Sequence, residues 1–239
     1  MFGIKIDEER SSVAALIVRE PTLNYLAHAY QHLDDPYFAA GTGLPDWMSV
    51  VDRKNRPRRQ YAEPVAEHSD PSIAAFARGC LQHHTDDAWF HQNERFVTLS
   101  SQFSVELREL LGSGLGHQAG FVGHIVVELL LDAILIERDP SLLDGYYAAL
   151  ESLDAELVQA GANAICLQPV TRLAELLPKF IEVRFLADYS DDVLLLRNLN
   201  RVMKRVGLPQ LPDSVAVWSS DARQRVRASA DELLKPTAS

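Results

Sequence analysis

Two cysteines, Cys80 and Cys166, in 239 residues are too few for a disulfide framework or a cysteine-based zinc finger. Glycine and proline number only twelve each, which excludes a collagen-like or loop-dominated chain. Positive charge is also scarce. Lys and Arg total 23 against 33 Asp and Glu, and the net charge of −10 argues against a specific nucleic-acid partner. The opening stretch MFGIKIDEERSSVAALIVRE has no cationic start leading into a sustained apolar run, so it does not read as a signal peptide. The most apolar stretch, Ile125 to Ile136, is interrupted by Glu128 and Asp132 and falls short of the roughly 20 residues a spanning helix needs. The expectation is no transmembrane segment and a cytoplasmic location.

What the chain does have is helical periodicity and an ordinary globular balance, 47% hydrophobic to 23% charged. The reading places helices over 24–33, 70–95, 102–111, 117–137, 141–159, 169–186, 191–206 and 214–234. Asp70-Pro71 is a strong helix start, an N-cap followed by proline at the first helical position. Gly41-Thr-Gly-Leu-Pro-Asp46-Trp reads as a loop, and Arg53-Lys-Asn-Arg-Pro-Arg-Arg59 as a basic loop after it. No run alternates long enough for a strand. The expected fold is all-α, a single compact helical domain across 1–239.

The histidines are not scattered. All eight fall at or before His124: His28, His32, His68, His83, His84, His91, His117 and His124. His83, Asp87 and His91 stand four residues apart in succession. Each such step turns a helix by about 400°, so neighbours drift by only about 40° and share a face. His124, Glu128 and Asp132 repeat the spacing. Imidazole nitrogen and carboxylate oxygen on one helical face are what a first-row divalent ion binds.

The second of these helices is apolar around its axis from Phe121 to Ile136, so it is expected at the centre of the fold. Carboxylates there are costly unless paired or metal-bound. The bland alternative is a hydrogen-bonded core pair of His124 and Glu128, or a contact with a buried arginine such as Arg184. Asp46, after Pro45, can aim inward from its loop, and His28 and His68 are further candidate ligands. His84 and Asp86 lie about 100° from the proposed face, as partners behind the ligands or as solvent-facing residues. Trp47 and Trp89 flank the ligands as candidate pocket walls, while His32 and His117 read as surface residues.

The order of these residues resembles two families. Asn24-Tyr-Leu-Ala-His28, Gly41-Thr-Gly-Leu-Pro-Asp46-Trp and Gly79-x-x-x-His83-x-x-x-Asp87 resemble the acyl carrier protein phosphodiesterases. That group is all-helical, HD-domain-like and metal-dependent, and removes phosphopantetheine from the carrier. Thr42, His84, Asp86 and His91 stand where it has Asn, Arg, Ile and Asp. The run His28, Asp46, His68, His83-x3-Asp87, His91, His124-x3-Glu128 is similar to the ligand order of zinc-dependent phospholipase C and the fungal single-strand nucleases. The phospholipase's N-terminal Trp ligand has no counterpart here.

These resemblances imply a metal-site region over about 24–138, with the helices of 141–234 completing an HD-domain-like or phospholipase C-like bundle. They imply a divalent transition metal, Zn, Mn or Fe, as two or three ions. The implied ligands are His28, Asp46, His68, His83, Asp87, His91, His124 and Glu128, with Asp46 or Asp87 bridging the ions or orienting water. The implied reaction is attack of water on a phosphodiester in a small molecule, a lipid or an acyl carrier protein. The alternative is a non-catalytic helical protein that keeps the fold and a structural metal. Arg53, Lys54, Arg56, Arg58 and Arg59 are either a solvated loop or an electropositive rim that steers an anionic partner.

Overall fold

The computed structural model describes residues 25–112 and 114–236, and every regular element among them is helical. In order these are α1 (Tyr25–Ala29), α2 (Pro36–Val51), α3 (Arg59–Val65), α4 (Pro71–Phe90), α5 (Glu94–Leu111) and α6 (Gly116–Arg138). There follow α7 (Ser141–Glu151), α8 (Ala155–Ile165), α9 (Leu173–Val183), a 3-10 helix over Phe185–Ser190, α10 (Asp192–Val206) and α11 (Ser214–Leu233). The all-α expectation holds, and one hydrophobic cluster runs from Tyr25 on α1 to Leu233 on α11. Asn24, expected to open the first helix, lies outside the described residues.

α6 is the central element. It is buried without interruption from Ile125 to Ile136 and packs on α5, α11 and the 3-10 helix. It exceeds the expected 117–137 by one residue at each end. At 23 residues it is long and apolar enough to cross a membrane by length and composition, although 83% of its most apolar window is buried inside the bundle.

The stretch expected to be a loop, 41–47, is the middle of α2. Asp35 caps this helix by accepting from the Phe38 amide, and Pro36 opens it, so helix is already established before Gly41. The glycines serve packing instead of turning. A Cβ on Gly41 would enter the Phe76 carbonyl on α4, and one on Gly79 would enter the Phe38 carbonyl on α2. Bare Cα atoms let the two backbones cross at close range, and this pairing sets the site.

Side-chain caps also divide what the periodicity joined. Asn93 accepts from the amides of Arg95 and Phe96, ending the expected 70–95 helix at Phe90 and starting α5 earlier than expected. Asp154 does the same between α7 and α8. Arg184, in the left-handed region at φ 46°, breaks the expected 169–186 helix into α9 and the 3-10 turn.

Candidate metal centre

Two clusters of donors form, one turn apart on α4. In the first, ligand atoms of His28 on α1 and of His83 and Asp87 on α4 all lie within 4.8 Å of one another. His83 Nε2 is 3.2 Å from Asp87 Oδ2, and His28 Nε2 is 3.6 Å from Asp87 Oδ1. Both rings are oriented from behind. His83 Nδ1–H donates to the Thr42 carbonyl at 2.8 Å, which leaves Nε2 facing Asp87. His28 Nδ1–H donates to Asp86 Oδ2 at 3.1 Å, and Asp86 is itself held by Gln82 and the Trp89 indole N–H. Burial works against a charged His28, yet hydrogen bonds to Asp86 and Asp87 and their charges push it up to about 10. Burial likewise opposes Asp87 ionisation, but the charge of His83 and its bonds to both rings hold the carboxyl well below its ordinary value.

In the second cluster, His91 caps the C-terminus of α4 and meets His124 and Glu128 of α6, again within 4.8 Å. Glu128 Oε1 is 3.1 Å from His91 Nε2 and 3.3 Å from His124 Nε2. Glu128 is buried, which disfavours its charge, but hydrogen bonds from His124 and His91 outweigh this and keep it ionised. Its partners are these histidines and not Arg184, which pairs with Asp144 and lies over Tyr147.

Glu128 Oε2, in the second trio, is buried and lacks a hydrogen-bond partner among the described residues, whereas His28 Nε2, in the first, has only Asp87 Oδ1 at 3.6 Å. Orphaned buried polar atoms are rare and costly. Glu128 Oε2 offers a divalent cation a lone pair directly and His28 Nε2 does so once its proton is displaced, and two imidazoles with one carboxylate are a donor set such an ion binds. Both trios fit a metal ion.

Other expected ligands fall elsewhere. His68 is exposed, its Nδ1 accepts the Asp70 amide, and it belongs to neither trio. The thirteen residues of α4 between 70 and 83 rise by about 20 Å, which separates His68 from the first trio. Asp46 also stands in neither trio. It is buried in α2, not presented from a loop, one turn beyond Thr42, and its charge is felt by Tyr25, Tyr146 and Tyr189. Asp132 continues the α6 face but does not join the donors. Its two oxygens accept the Leu26 and Ala27 amides at 3.1 and 2.8 Å, anchoring α1 under His28.

Beside His28 and Asp86 opens a cavity of about 340 Å³, walled by Trp89, Phe90, Leu131 and Leu233. Trp47, the other expected wall, is instead buried against Phe180. The basic loop meets α4 at His84, whose Nε2–H donates to the Pro57 carbonyl, and at the cavity-lining Thr85, whose Oγ1 accepts from Arg59. The orienting role of the Thr42 carbonyl was not visible in the sequence, where a backbone carbonyl leaves no residue signal, while Asp132, visible there on the His124–Glu128 face, holds α1 instead of joining the donors. Comparison with protein-family models, with curated proteins and with solved structures finds no match for this chain.

Proposed function

We propose that the chain is a metal-dependent phosphodiester hydrolase, holding a divalent transition-metal ion, Zn, Mn or Fe, at each trio. The observation that carries this reading is the donor count, two imidazoles and one carboxylate in each cluster. Structural zinc closes its shell with four protein ligands, whereas catalytic zinc keeps three and leaves a position for water or substrate. Two three-donor clusters therefore favour a hydrolase over a structural metal. Asp87 and His91 bring them side by side, about 6 Å between Cβ atoms one helical turn apart. When bound, paired ions supply Lewis acidity at phosphoryl oxygens and acidify water near neutral pH.

The chain's own residues do the positioning. Thr42 and Asp86 fix the rings of His83 and His28. Asp87, ionised and partly solvent-exposed, faces both rings and is the group placed to orient attacking water, in preference to Asp46 in the core. Arg59 at Thr85 gives the cavity edge a positive charge suited to an anionic substrate.

The test is elemental analysis of the purified chain together with turnover of bis-p-nitrophenyl phosphate. The expected result is two ions per chain and an activity lost to chelation and restored by metal. His124→Ala with Glu128→Gln should remove one ion and lower turnover by roughly 100-fold or more. A metal-replete chain that turns over no phosphodiester would return the protein to the non-catalytic reading.

A further inference from the structure

We infer that the two trios are unequal: the His28–His83–Asp87 trio retains its ion, while the His91–His124–Glu128 trio exchanges its ion with solvent. Activity would then follow the free metal concentration through the second trio. This inference rests on the metal-dependent reading above and ranks the sites within it.

Three observations carry the ranking. The first is access. The His28 and His83 side chains are 4% and 2% exposed, against 31% and 37% for His91 and His124, so water and chelators reach both imidazoles of the second trio, whereas in the first only the Asp87 carboxylate, at 26%, is open to them. The second is orientation. Both rings of the first trio donate Nδ1–H to a fixed acceptor, Asp86 or Thr42, whereas neither His91 nor His124 has a second ring partner of that kind among the described residues. Such outer partners fix the tautomer and typically contribute about 10–100-fold in metal affinity. The third is charge and anchorage. Two carboxylates, Asp86 and Asp87, face His28, and Asp132 pins the short α1 that carries it. The second trio has Glu128 alone, and His91 sits where α4 ends.

The experiment is a titration of the metal-free full chain with cobalt(II), read by its visible d–d absorption and by competition with a chelator. Two binding steps are expected, separated by at least about 10-fold. Dialysis against a dilute chelator should leave one ion per chain. His124→Ala should delete the weak step and keep the tight one. Asp86→Asn, which leaves every ligand in place, should weaken the tight step by about 10–100-fold and leave the weak step unchanged. Two steps of equal affinity, or loss of the tight step in His124→Ala, would overturn the ranking while leaving the metal reading intact. No cobalt uptake at all would overturn the metal reading itself.

Discussion

Asp132 shows how much one side chain contributes without touching a ligand atom. Burial pushes its carboxyl up to about 8, offset in part by the Leu26 and Ala27 amides it accepts from. Those two bonds hold the first turn of α1, and α1 carries His28. Asp132→Asn keeps the shape but turns an NH₂ group toward one of the two amide donors, leaving that donor unsatisfied. The variant is expected to lose about 1–3 kcal/mol of stability, the cost of one unsatisfied buried donor. Cobalt affinity at the first trio should fall by about 10-fold with the second trio unaffected, which a paired denaturation and titration measurement will check. Equal weakening at both trios would mean that Asp132 acts only through global stability.

At the scale of helices, the crossing of α2 and α4 decides whether Thr42 can reach His83. Adding a methyl at Gly41 drives it into the Phe76 carbonyl, a backbone atom that cannot swing aside. Gly41→Ala should therefore cost about 1–3 kcal/mol or more and loosen the first trio together with the fold. Thermal melting and cobalt titration of one sample test both effects, and a fully stable variant would show that the helices can part. The α5–α11 contact makes a separate prediction in pH. Bonds from Arg225, together with the Trp218 indole N–H, hold Glu106 below its ordinary value, with slight burial acting the other way. A carboxyl depressed in the fold contributes stability above its unfolded pKa of about 4.3, and that contribution is lost as pH falls. Glu106→Gln should melt lower than the parent at pH 7, and the gap should close below roughly pH 4. A gap that persists at low pH would place the effect in packing.

For the molecule as a whole, the trios join elements distant in sequence, α1 with α4 and α4 with α6, so a bound ion would staple them. An ion bound only by the folded state adds about 2.7 kcal/mol at a free concentration 100 times its Kd. For a chain of this size each kcal/mol shifts Tm by about 2–4 °C, so filling both trios should raise Tm by roughly 10–20 °C. Calorimetry with and without chelator measures this. Because the ligating rings must be neutral, metal uptake should release protons and weaken as pH falls, visible as buffer-dependent binding heats. A Tm indifferent to metal would mean that the donor clusters are core ion pairs.

The all-helical class and the pairings within a helix were legible from the chain alone. A four-residue step puts His83 beside Asp87 and His124 beside Glu128 whatever surrounds them, because helix geometry is local. The apolar circumference of 121–136 likewise foretold a buried α6. Tertiary structure decided the rest. It sorted one expected cluster into two trios, admitted His28, left His68 on the surface, and put Asp46 and Asp132 outside both sets of donors. Spacing along one helix settles which donors share a face, but not which face of another helix they meet. Glycines at 41 and 79 look like breaks in a one-dimensional reading, yet in three dimensions they are where two backbones touch, a contact no local propensity encodes.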